Sequence, residues 1–130
     1  MMSIKRFAYQ GQTYAIEWYH DEKGFSQARE FYEALPKERQ LAAIMLFWRM
    51  GESGKIFDIT KFRNEGDKIF AFKPQPERYL CFFFTGRKII ITNGFEKKSQ
   101  KLPAGEKERA LRAKADFEKR VNQGVYYGKE

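Results

Sequence analysis

Two runs, Arg78-Tyr-Leu-Cys-Phe-Phe-Phe-Thr85 and Lys88-Ile-Ile-Ile-Thr-Asn93, meet at the tight turn Thr85-Gly86-Arg87 and read as a β-hairpin. The first run is apolar on both faces from Tyr79 to Phe84, the pattern of a central strand. Working outward, Lys68–Lys73 has strand composition too, and Pro74-Gln75-Pro76-Glu77 joins it to the hairpin. The expectation is therefore a three-stranded antiparallel sheet.

The segment before this sheet is helical in pattern. Phe25, Ala28, Phe31, Tyr32 and Leu35 recur on one face, and Pro36 breaks that helix and opens another. In the second helix Leu41, Ile44, Met45 and Trp48 form an apolar stripe expected to lie on the sheet, and Gly51 and Gly54 stop it. Earlier still, Thr13–Tyr19 alternates as a first strand, while Met1–Gln12 reads as loosely ordered and Lys55–Gly66 as a linker. After the sheet, Ala110, Ala113, Phe117 and Val121 mark a C-terminal helix over Gly105–Asn122, followed by a short tail. The order is strand, helical hairpin, three-stranded antiparallel sheet, helix: an α+β fold in one domain over residues 1–130, with its core at about 13–121.

Composition narrows the function. The chain has 130 residues, 17% aromatic, with a formal net charge of +8, which attracts polyanions. From Phe95 to Arg120, nine Lys/Arg stand against five Asp/Glu, so half the net charge lies in a fifth of the chain. One cysteine, Cys81, sits in the apolar strand and cannot form an internal disulfide, which fits a reducing compartment. No charged-then-apolar leader and no apolar run of spanning length are evident, so a cytoplasmic protein is expected, away from membranes. One Cys and one His do not make a zinc site, and His20, in a polar turn, is not expected to act as a base. No phosphate-cradling or dinucleotide motif is present, so no metal and no cofactor are expected.

The most informative stretch runs on from the hairpin: Asn93-Gly-Phe-Glu-Lys-Lys-Ser-Gln-Lys-Leu-Pro103. A strand end that delivers an aromatic ring and several cations suits single-stranded RNA, with the ring on a base and the ammonium groups on phosphates. Phe95 either stacks in this way or anchors the loop in the core. Lys61, Arg63, Lys73 and Arg78 lie at the ends of neighbouring strands and converge on the same mouth if the sheet is antiparallel.

This pattern resembles the phage-derived HigB-like branch of the RelE/ParE toxin superfamily. It is carried by Asn93-Gly94-Phe95, by Lys97-Lys98-Ser99 and by Pro103 before a charged helix. Ile69-Phe70-Ala71-Phe72-Lys73 and Arg78-Tyr79-Leu80 resemble the family's upstream strands. Ala71 stands where the family carries a glutamate, and Asn93 where it often carries a histidine.

The resemblance implies the toxin of a type II toxin–antitoxin system, a ribosome-dependent mRNA endoribonuclease (mRNA interferase). Its partners would be the ribosome, mRNA and an antitoxin, a small helix-turn-helix protein. Carried over residue by residue, Arg78 would hold the phosphorane, and Lys97 and Lys98 would bind phosphate or donate a proton. Lys73, Phe95, Lys101, Lys61 and Arg63 would bind RNA. The alternatives are a ParE-like or non-catalytic protein that inhibits a protein target such as gyrase, and a basic nucleic-acid-binding protein of other role.

Overall fold

The computed structural model describes residues 5–99 and 101–128. Its elements are β1 (Phe7–Gln10), β2 (Ala15–Trp18), α1 (Gln27–Glu33), α2 (Lys37–Ser53) and β3 (Phe62–Gly66), followed by β4 (Ile69–Phe72), β5 (Glu77–Phe84), β6 (Lys88–Glu96) and α3 (Ala104–Asn122). The expected three-stranded antiparallel sheet is corrected to a six-stranded mixed sheet, in the order β1-β2-β6-β5-β4-β3. The architecture remains α+β. The hairpin β5–β6 and the β4–β5 pair are antiparallel as read, but β2 runs parallel to β6, from Ala15 beside Lys88 to Trp18 beside Ile91.

Two strands lay outside the sequence reading for physical reasons. β1 is four residues long and falls in Met1–Gln12, which has no clear strand alternation and of which Met1–Ile4 lie outside the described residues. β3, Phe-Arg-Asn-Glu-Gly, is an edge strand with little to bury, so it lacks the apolar alternation that betrays a strand. With β2 on one side and β5 on the other, β6 buries Ile89, Ile90 and Ile91 completely, as a strand covered on both faces must.

Helices cover both faces. On one, α1 and α2 close a core of Trp18, Phe47, Phe72, Tyr79, Ile89 and Ile91. On the other, α3 closes a core of Ile69, Leu80, Phe82, Ile90, Phe95 and Phe117. Ser26 caps α1 by accepting from the Arg29 N–H at 3.2 Å, and Gly54, at φ +75°, ends α2 in the left-handed conformation that glycine adopts without strain.

The stripe expected to bury α2 is also corrected. Ala43, Leu46, Phe47 and Met50 face the sheet, and of the expected stripe Ile44 packs half-buried against the same core, while Leu41, Met45 and Trp48 are exposed. Both sets share the i, i+3, i+4 spacing, so periodicity does not choose between them. Gly51 does not stop the helix. Its carbonyl accepts from the Thr13 and Tyr14 N–H groups at 2.8 and 3.0 Å, and a Cβ on it would meet the Tyr9 ring at 2.6 Å. Among the described residues no helix is long and apolar enough to cross a membrane.

Candidate functional site

Register places the cations. Across an antiparallel ladder, directly opposed residues share a face, and so do residues two apart along one strand. Arg63 opposes Ala71, Ala71 opposes Leu80, and Arg78 opposes Phe95. Ala71, Leu80 and Phe95 belong to the α3-side core, so Arg63, Lys73, Arg78 and Lys97 continue the same face beyond the helix. They line an open groove of about 510 Å³ with Lys98, Thr60, Gln75 and Ser99.

Arg78 and Lys73 form its inner wall. Arg78 is 8% exposed and Lys73 9%. Arg78 donates only from Nη1 to described residues: to Gln75 Oε1 at 3.2 Å, to the Pro76 carbonyl at 3.4 Å and to the Glu77 carbonyl at 3.0 Å. That fixes the guanidinium plane and leaves Nη2 for a ligand. Lys73 Nζ donates to the Ile59 carbonyl at 3.2 Å. Burial, then the Arg78 charge, with Arg63 and Lys97 adding, push the Lys73 ammonium below the ordinary lysine range, against the pull of Glu65. Burial likewise lowers Arg78, with Glu65 and Glu77 opposing. None of the five groove cations has a carboxylate within 4.0 Å among the described residues.

Of the residues singled out in the sequence, Arg63, Lys73, Arg78, Lys97 and Lys98 are thus brought together. Lys61 and Lys101 are not part of the lining. Phe95 is only 8% exposed and packs in the α3-side core, so its ring has no free face for a base; the anchoring alternative describes it. Gln75 carried no chemical signal in the sequence beyond its place between two prolines. It nonetheless supplies the one side-chain acceptor among the three that hold Arg78, from a left-handed φ of +64°.

The Asn-Gly-Phe triplet is structural throughout. A bulge makes this possible: Leu80 opposes Asn93 and Cys81 opposes Ile91, so Thr92 is an extra residue and the facing of β6 reverses after it. Asn93 is completely buried and donates to Glu106 Oε1 at 2.9 Å and to the Glu106 carbonyl at 3.2 Å, tying β6 to the first turn of α3. Gly94 faces the other way and exchanges two 2.8 Å hydrogen bonds with the Gln27 amide on α1. Phe95 turns back toward α3. The position where the resembling family often carries a histidine is therefore a buried tie to α3.

His20 is buried rather than displayed on a turn, and its Nε2 has no partner among the described residues. Arg120 clamps its carbonyl with Nη1 at 2.8 Å and Nη2 at 2.9 Å. Cys81 is fully buried, and burial pushes its thiol far above the ordinary range, so it is a packing residue. No group of three metal-ligating side chains stands together among the described residues.

Residues 30–115 match a family model described as Phage derived protein Gp49-like (DUF891), a span that contains every groove cation and leaves out β1 and β2. No curated protein matches the chain.

Proposed function

We propose that this chain, which belongs to the Gp49-like family of phage-derived proteins, is the toxin of a type II toxin–antitoxin pair. Its groove would grip messenger RNA on the ribosome, where the RNA is cut by attack of its own 2′-hydroxyl. The observation that carries the reading is the convergence of five cations, free of carboxylate partners within 4.0 Å among the described residues, on the rim of one sheet face. Lys73 feels the charges of Arg78, Arg63 and Lys97 against the weaker pull of Glu65, and a polyanion relieves the repulsion that remains.

The reaction makes three demands. The 2′-oxygen must lose a proton as it bonds to phosphorus, the phosphorane charge must be held, and the 5′-oxygen must gain a proton as its bond breaks. Lys73 suits the first, as the groove lysine whose proton affinity burial and the Arg78 charge lower. Arg78, held by Nη1, suits the second. Lys97 and Lys98, which line the same groove, suit the third. The products are a 2′,3′-cyclic phosphate and a 5′-hydroxyl. The RelE/ParE resemblance of the strands adds the ribosome as the setting and a helix-turn-helix antitoxin as the neutralising partner.

A second reading, a relative of the same fold that inhibits a protein target such as gyrase, is favoured by the exposed Leu41, Met45 and Trp48 stripe on α2. Inducing the chain in cells that lack an antitoxin separates the two. Growth arrest with cuts inside translated codons, relieved by Lys73→Met and Arg78→Ala, supports the first. Arrest with DNA damage and intact mRNA supports the second. Normal growth rejects both.

A further inference from the structure

The loop between α2 and β3 presents two large apolar side chains to solvent, Phe57 at 85% and Ile59 at 67% exposure. Neither is exposed for want of a core, since Ile56 beside them packs into the α1/α2-side core. Nor is the loop slack. Asp58 Oδ1 accepts from the Thr60 N–H at 2.9 Å and from its hydroxyl at 2.6 Å, and the Asp58 carbonyl accepts from the Lys61 and Phe62 N–H groups at 2.9 and 3.0 Å. Thr60 lines the groove itself. The loop is moored to it through two carbonyls: Ile59 accepts from Lys73 Nζ, and Thr60 accepts from Gln75 Nε2, both at 3.2 Å. Its backbone is thus tied to two groove-lining side chains, and its two apolar residues are left exposed to solvent.

An apolar residue on a surface is ordinary by itself. A tethered pair of them, within three residues of a groove-lining threonine and beside cations with no carboxylate within 4.0 Å among the described residues, is not. A protein surface built for phosphate alone needs no such lip. A strand of unpaired nucleotides does, because each phosphate carries a base whose flat face must go somewhere.

We propose that Phe57, supported by Ile59, stacks on an unpaired base of single-stranded RNA whose phosphates lie in the Lys73–Arg78–Lys97 groove. The stacking role that the sequence offered to Phe95 thereby passes to a residue of a different loop. Asp58 does not oppose this. Its carboxylate is held by the Thr60 N–H and hydroxyl, which with the Lys61 and Arg49 charges keep it ionised, so the phosphates fall to the groove cations and the loop offers a base only its ring. The proposal rests on the RNA reading of the groove, and its test must fail separately from that reading.

The probes are a mixed-sequence 12-nucleotide strand with 2′-O-methyl riboses, which has no free 2′-hydroxyl to be cut, and an abasic strand of equal length. Both are labelled for fluorescence anisotropy and measured with the full chain at low salt. The wild type is expected to bind the strand with bases on the order of ten-fold more tightly than the abasic one. Phe57→Ala should remove that preference while keeping the abasic affinity, and Ile59→Ala should reduce it. Lys97→Ala should weaken both strands alike. With Phe57 so exposed, its circular dichroism spectrum should not change. If neither strand binds the wild type, the RNA reading itself fails. Equal binding of both strands by the wild type, or an unchanged preference in Phe57→Ala, overturns the stacking role alone and leaves the lip to a protein partner.

Discussion

Arg78 and Phe95 oppose each other directly across the β5–β6 ladder, yet the ring closes a core and the guanidinium lines an open groove. Core and groove are therefore one continuous sheet face, divided by where α3 stops covering it. Substitutions at the two positions should separate stability from activity. Phe95→Ala empties a packed site and should cost about 3–5 kcal/mol in urea unfolding. Arg78→Ala loses a half-open set of hydrogen bonds rather than a packed ring, so it should cost only about 1 kcal/mol while relieving the proposed toxicity. Arg78→Lys should restore little, because an ammonium lacks the planar fork that a phosphorane demands. Equal losses of stability at both positions would mean that the face is not divided in this way.

Gly94 joins β6 to α1 at close range. A Cβ there would stand 2.7 Å from Phe31 Cδ2 and 3.1 Å from the Tyr79 ring, while Gln27 holds the backbone in place by both its N–H and its carbonyl. Gly94→Ala should thus push α1 off the sheet and cost about 1–3 kcal/mol. Thermal unfolding measures it. Without a drop in the midpoint, the packing of α1 on β6 described above would be wrong.

His20 should make the fold sensitive to mild acid. Burial, then the nearby Arg29 charge, lower its proton affinity below the ordinary value of 6.5, against the pull of the Trp18 and Lys5 carbonyls and of Asp21. Below pH 6.5 the unfolded chain therefore takes up a proton that the folded chain resists, so stability rises with pH across that window. The stabilisation is complete above about 6.5 and is lost as the pH falls toward the folded value. Urea midpoints at pH 7.5 and 5.5 should differ in the wild type, and the difference should shrink in His20→Gln. Parallel behaviour of the two proteins would assign the acid sensitivity elsewhere.

The sequence showed what repeats and hid what depends on pairing. The hairpin from Arg78 to Asn93 was legible because its apolar runs and its turn are local, and α3 was legible because Ala110, Ala113 and Phe117 have no rival stripe. β3 was not legible, because an edge strand of Phe-Arg-Asn-Glu-Gly has no buried face to announce itself. The parallel β2–β6 pair was not legible, because nothing local encodes a partner more than seventy residues away. At the site, Arg63, Lys73, Arg78, Lys97 and Lys98 could be gathered from their places at strand ends. The function of Asn93 could not, since a one-residue bulge decides which face it meets. Phe95 was ambiguous for the same reason.

Lys73 gives the most direct test of the groove. It is nearly buried, and burial together with the Arg78 charge lowers its proton affinity from the ordinary 10.5. In a chain labelled at lysine Cε, its resonance should titrate below those of the exposed lysines. In Arg78→Gln it should move back up, because one of its cationic neighbours has gone. The linkage also has a sign. A folded-state value below the unfolded one means that the folded chain binds this proton less tightly, so carrying the charge at neutral pH opposes folding. Lys73→Met keeps the aliphatic stem and removes the charge, at the loss of one 3.2 Å hydrogen bond to the Ile59 carbonyl. That carbonyl lies on an exposed loop and can be hydrated. Lys73→Met should therefore raise the urea midpoint at pH 7 while abolishing the proposed RNA cleavage, the opposition expected of a residue kept for function rather than for stability. A midpoint that falls, or a Lys73 resonance that titrates with the rest, would mean that the cations are screened from one another and that no anion-seeking field exists in the groove.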